Sequence, residues 1–208
     1  MSKIEVKQAL GSGVVIEAVQ SLTGAEAIAP DHMGRSRESA VGYVPKNLPI
    51  DAAQLREVQV LLTQQATLLD ARQWGAWMDL FAEDGVYWVP AAPEQTDWTS
   101  QASIFAEDRL LMEIRAARLL HPNAWSQAAQ WATHHLLGST LIEAVQGDSL
   151  STYTPFQMME VRRDKVRHFG GSYRHHLVKQ QGHWKIRLQR VDLFNAQASY
   201  DYVIQAWV

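Results

Sequence analysis

Three side chains in this sequence have the types that acid–base chemistry in a small pocket requires: Asp108, His135 and Tyr87. A carboxylate, an imidazole and a phenol that converge can move protons to and from a bound carbonyl or hydroxyl compound. His134 beside His135, and Trp88 beside Tyr87, would line the same space. Each also has a plainer role. Asp108 stands where a helix starts, and a negative charge favours a helix N-terminus. His135 fits as a satisfied residue at the core edge, and the aromatics fill volume. No local motif ties the three together, so the plainer reading is preferred.

Metal chemistry is disfavoured by spacing. Of eight histidines, two sets are adjacent pairs, His134-His135 and His175-His176, while His168 and His183 stand alone in the same half of the chain. Neighbours on a strand point to opposite faces, so an adjacent pair does not chelate one ion. No carboxylate sits at helical ligand spacing to complete a two-histidine, one-carboxylate iron site. The residues are expected at the surface or the core edge. Cysteine is absent altogether. That excludes disulfides, thiolate nucleophiles and any iron–sulfur cluster held by this chain, since every common cluster needs cysteine thiolates.

Positioning those residues falls to a helical first part and a strand-rich second part. Asp51 reads as an N-cap with Gln54 at the third helical position, and Ile50 and Leu55 are spaced as a hydrophobic staple. Leu55, Val58, Leu62, Ala66 and Leu69 then share one helical face. Trp74, Trp77, Met78 and Phe81 predict a second, short helix that Gly85 ends, followed by a short strand, Val86-Tyr87-Trp88-Val89, stopping at Pro90. A loop is expected from about Ala91 to Phe105. A third helix should turn Leu110, Leu111, Ile114 and Ala117 inward and Arg109, Glu113 and Arg118 outward, with Pro122 closing it.

From Trp131 to Phe194 the period is two. His135, Leu137, Ser139 and Leu141 share one side, and Tyr153, Gln157, Met159 and Val161 share another. Turns are expected at Gly147-Asp148, Asp164-Lys165 and Gln181-Gly182. About four long antiparallel strands after three helices argue α+β, with helices packed on one face of a curved sheet.

The 208 residues, 47% apolar and 20% charged, suit a folded chain rather than a disordered one. Residues 1–47 show no sustained period. They read either as an extended arm ordered against a partner or as a floppy leader. Residues 48–208 read as a single domain. Most of the eight tryptophans should be core, with Trp98 and Trp125, in polar surroundings, as interface anchors. The net charge of −3 does not suggest a nucleic-acid binder. Yet Arg162 to Arg190 holds nine basic residues against one acid, Asp164, which predicts either a solvated sheet face or a surface that meets an acidic partner. No stretch approaches the ~20 apolar residues of a membrane span. The N-terminus does not read as a secretory signal, so a cytoplasmic location away from membranes is expected.

The run from Leu68 to Pro90, with Asp70, Trp74, Leu80-Phe81-Ala82-Glu83-Asp84-Gly85 and Tyr87-Trp88-Val89-Pro90, resembles the small (β) subunits of bacterial aromatic-ring-hydroxylating dioxygenases. Three further segments agree in order: Glu107-Asp108-Arg109 to Arg118-Leu119, Thr133-His134-His135-Leu136, and Tyr173 through Trp184-Lys185-Ile186 to Arg190-Val191. Gly170-Gly171-Ser172-Tyr173 departs from a more usual Gly-Arg-Tyr, and Ala198–Val208 matches nothing in the pattern. The resemblance implies the cystatin-like α+β cone shared with nuclear transport factor 2, scytalone dehydratase and ketosteroid isomerase. It implies no catalytic, cofactor-binding or metal residue on this chain. The Rieske 2Fe-2S cluster and mononuclear Fe(II) would sit on a catalytic α subunit that uses O2 and electrons from NAD(P)H. Assembly would be as α3β3, with self-association as a trimer. Because the cone also hosts enzymes, a free-standing dehydratase or isomerase using Asp108, His135 and Tyr87 stays as the alternative, and a small-ligand-binding module is a third class.

Overall fold

The computed structural model describes residues 44–121, 131–200 and 203–208. Residues 1–43 of the expected arm, Pro122 and Trp125 lie outside the described residues. Residues 44–50 are irregular, and Leu48 N–H donates to Ile142 O at 2.8 Å.

Helix α1 spans Ala52–Asp70 and starts as its sequence dictates: Asp51 Oδ2 accepts from the Ala53 and Gln54 backbone N–H groups at 2.9 and 3.2 Å. Its buried face is Val58, Leu61, Leu62, Gln65, Ala66 and Leu69. The second helix, α2, is only Trp74–Met78, because Phe81 already belongs to strand β1, Phe81–Pro90. Gly85 therefore does not end a helix. It lies within β1 where the pairing register shifts between Phe81 and Val86, and a Cβ there would meet Ala82 O at 2.8 Å and Ile186 O at 2.9 Å. A bulge needs that freedom from a side chain.

The expected loop after Pro90 contains a strand, β2, Ser103–Asp108, antiparallel to β1. Helix α3, Arg109–Leu120, follows at once. Its orientation differs from the sequence expectation. Met112 and Ala116 are buried, whereas Leu110, Leu111 and Ile114 are exposed. The arginines set this rotation. Arg109, expected outward, donates to Met78 O at 2.9 Å and pairs with Asp79 at 3.1 Å. Arg115 is turned inward onto Glu107 at 3.0 Å.

Five strands follow where about four were expected: β3 (Trp131–Leu137), β4 (Leu141–Gln146), β5 (Ser149–Arg162), β6 (Lys165–Gln180) and β7 (His183–Leu193). The extra break falls at Gly138–Thr140, opposite Pro155. Gly138 N–H donates to Pro155 O at 2.7 Å, but proline has no N–H to return, and the ladder stops. The turns lie at Gly147-Asp148, Arg163-Asp164 (one residue earlier than expected) and Gln181-Gly182. Positive φ at Gly147, Arg163, Gln181 and Gly182 suits tight hairpins.

The sheet order is β2-β1-β7-β6-β5-β3, with β4 also on β5; among the described residues, only the β1–β7 pair is parallel. Helices packed on this curved, antiparallel-rich sheet give the expected α+β architecture. The inward residues of β5 and β6 (Leu150, Phe156, Met158, Phe169, Tyr173, Leu177) meet Leu62, Leu69, Trp74 and Trp77 in one core. Each such side chain contributes roughly 1.5–3 kcal/mol when fully buried. Of the tryptophans, Trp74, Trp77, Trp88, Trp131, Trp184 and Trp207 are buried. Trp98 is half-buried against a small cluster of Val86, Trp88 and Leu188. No helix among the described residues is long and apolar enough to cross a membrane.

The basic run is not one-signed in space. Arg174 faces Glu143 at 3.9 Å, Lys179 faces Glu57 at 3.5 Å, and Arg187 faces Asp84 at 2.9 Å. Arg190 is buried, pairs with Asp192 at 2.7 Å and donates to the carbonyls of Pro93 and Gln95. Acids distant in sequence supply the balance.

Candidate functional site

Asp108, His135 and Tyr87 do not form one constellation. Asp108 is the N-cap of α3, its Oδ1 accepting from Leu111 N–H at 2.9 Å. His135 instead meets Asp70, the last residue of α1: Nδ1 lies 2.6 Å from Asp70 Oδ1, and its backbone N–H donates to Oδ2 at 2.9 Å. Thr133 Oγ1 donates to the same carboxylate at 3.0 Å, and the exposed His134 ring also reaches it, with Nδ1 3.5 Å from Oδ2. Burial by itself would raise the Asp70 pKa. The hydrogen bonds from His135 and Thr133 outweigh it and hold the carboxyl below its ordinary range.

Deeper in the cone, His175 Nε2 lies 3.0 Å from Gln65 Oε1. Complete burial pushes this imidazole down to about 3, so it is neutral and Nε2–H is the donor. His175 is therefore core, not surface or core edge. Tyr173 stacks on Phe156 with ring centroids 4.0 Å apart. Burial, with Tyr87 and Asp70 nearby, pushes its phenol well up. Its hydroxyl, His135 Nε2 and both amide atoms of Gln189 have no hydrogen-bond partner among the described residues.

Tyr87 is fully buried, and its hydroxyl is engaged by the end of the described chain. It accepts from Val208 N–H at 3.0 Å and donates to Val208 O at 3.2 Å. Burial pushes this phenol far up as well.

An Asp70–His135 pair with a free Nε2 has the form of an oriented base. The His135 side chain has 0% of its surface exposed, however. A groove of about 640 Å3 lies elsewhere, between α1 (Arg56, Gln59, Thr63, Thr67) and Gly138–Thr140, and none of Asp70, Tyr87, Asp108 or His135 lines it. Among the described residues, no three His, Asp or Glu side chains gather as metal ligands would. With no cysteine in the sequence, the donors here do not fit a Rieske cluster.

Residues 64–199 match the family described as ring hydroxylating beta subunit. The chain belongs to that family. It is 26% identical over 132 residues to the small oxygenase component of the p-cumate 2,3-dioxygenase system of Pseudomonas putida, covering 62% of this chain and 73% of that protein. It is 28% identical over 121 residues to toluate 1,2-dioxygenase subunit beta from Pseudomonas putida, covering 55% and 74%. The crystal structure of the benzoate 1,2-dioxygenase beta subunit from Burkholderia mallei superposes with a TM-score of 0.59 at 24% identity, over 76% of this chain and 99% of that one.

In this ring-hydroxylating beta subunit, the sequence selected His135 but not its partner. Asp70 stands in the very run that carries the resemblance, so a signal was present. Gln65 and Arg115 gave none, because each reads as an ordinary polar residue of a helix.

Proposed function

We propose that this chain is the non-catalytic, structural β subunit of an aromatic-ring-hydroxylating dioxygenase, supporting assembly of a catalytic α subunit in the breakdown of aromatic compounds. The match of residues 64–199 to the beta-subunit family carries this reading. The α subunit would hold the Rieske 2Fe-2S cluster and the mononuclear Fe(II), and would hydroxylate the aromatic ring with O2 and electrons from NAD(P)H. The assembly is α3β3 in the cytoplasm, with three copies of the cone facing one another by their sheets. The chain divides into an arm, residues 1–47, and one cone domain, residues 48–208. An obligate interface of this kind buries more than ~2,000 Å2 in total.

The second reading, a dehydratase or isomerase, is favoured by one observation: the 2.6 Å Asp70–His135 contact. Turnover per assembled complex separates the two. In the subunit reading, Asp108→Asn and His135→Gln lower stability or yield of the complex and leave its turnover within about twofold. A loss of ~10²–10⁴-fold in fully assembled complex would instead mark a lost acid or base and overturn the proposal.

A further inference from the structure

Residues 204–208 have no regular secondary structure, yet Ile204, Ala206, Trp207 and Val208 are all buried. Side chains of the cone hold this segment the way a protein holds a peptide ligand. Arg115 Nη2 donates to Gln205 O at 3.1 Å and Ala206 O at 2.9 Å. Tyr87 makes its two bonds to the backbone of Val208. The Trp207 indole sits 5.1 Å from the Trp74 ring and 4.9 Å from the Trp77 ring. The Arg115 guanidinium stands 4.5 Å over it and 3.9 Å from the Phe105 ring. The indole N–H donates to Glu107 Oε2 at 2.9 Å, while Glu107 Oε1 keeps its 3.0 Å pair with Arg115.

A buried carboxylate aimed at an N–H, flanked by aromatic faces and a guanidinium, selects one ligand chemistry. The walls favour a flat ring, the cation favours its π face, and the ionised acceptor demands a donor on its edge. We propose that the box formed by Trp74, Trp77, Phe105, Glu107 and Arg115 is a binding site for an indole-type ring, occupied in this chain by its own Trp207 as a tethered ligand. A free indole then competes with the segment for the same box. Its apparent affinity in the native chain is reduced by the fraction of molecules in which the segment has withdrawn. The inference rests on these contacts alone and is independent of the assembly proposed above.

The test uses the full chain, native and Trp207→Ala, titrated calorimetrically with indole and with 1-methylindole, which keeps the ring and lacks the N–H. Trp207→Ala should bind indole at least about tenfold more tightly than the native chain does. It should prefer indole over 1-methylindole by at least about tenfold, the typical value of a hydrogen bond to a charged group. Absence of binding by a folded Trp207→Ala chain, equal binding of the two ligands, or equal binding by the native chain would overturn the site. Should Trp207→Ala fail to fold, amide exchange of the native chain decides. Saturating indole should speed exchange of the Val208 N–H severalfold while 1-methylindole does not, and an unchanged rate would refute the competition.

Discussion

At the scale of single residues, the Asp70 carboxylate gathers three hydrogen bonds, from the ring and backbone of His135 and the hydroxyl of Thr133. It joins the end of α1 to β3, which are 63 to 65 positions apart in sequence. Replacing Asp70 by Ala leaves those donors inside the protein without an acceptor, which costs roughly 1–3 kcal/mol. Urea unfolding should show that loss. Its lowered pKa also fixes a pH dependence: stability is present above the unfolded value of 3.8 and is lost as pH falls through the lower folded value. His175 acts in a higher window. Its folded pKa of about 3 lies below the ordinary 6.5, so the unfolded chain binds a proton that the folded chain refuses. Stability therefore declines as pH falls from about 6.5 towards 3, and His175→Gln should flatten that slope in unfolding measured between pH 6 and 4. Asp108 has the simpler task of a cap. Asp108→Ala should cost about 1 kcal/mol, while Asn, itself a good cap, should cost less.

At the scale of elements, close backbone approach decides where glycine is required. At Gly171, a Cβ would collide with the carbonyl of Asp192 on β7, which is backbone and does not yield like a flexible side chain. Gly171→Ala should therefore break the β6–β7 pairing locally and lower the melting temperature well beyond an ordinary surface substitution. Gly85→Ala should act likewise at the β1 bulge, and a melting curve for either variant that overlays the native one would contradict this account. Much of this layer was legible beforehand. The Asp51 cap, the inner face of α1 and the hairpin turns at 147–148 and 181–182 are local signals written within a few residues. The rotation of α3 was not, because Arg109 and Arg115 find their partners on Met78, Asp79, Glu107 and the 205–206 carbonyls, and ordinary helical patterning assigns arginine to solvent. Strand β2 was hidden for a similar reason. Its pairing partner, β1, rather than its own alternation, makes Ser103–Asp108 a strand. The Asp70–His135 contact and the insertion of residues 204–208 are both long-range, and no period or spacing in the sequence encodes them.

At the scale of the whole molecule, the curved sheet and helices α1, α2 and α3 enclose polar groups without bringing Asp108, His135 and Tyr87 together. The indole of Trp207 and the backbone of Val208 are packed in the core beside Trp77 and Tyr87. The interior is filled by the chain's own side chains, and residues 64–199 belong to the ring-hydroxylating beta-subunit family. Substitutions inside the cone should consequently act through yield and stability of the assembly, not through the chemical step. Native mass spectrometry of this chain purified together with its α subunit, with iron and labile sulfide assayed on the separated chains, tests the claim most directly. The account predicts three copies of each subunit, with all iron and sulfide on the α chain. A chain that stays monomeric at micromolar concentration in the presence of the α subunit, or that turns over a hydroxylated or keto substrate by itself, would contradict it.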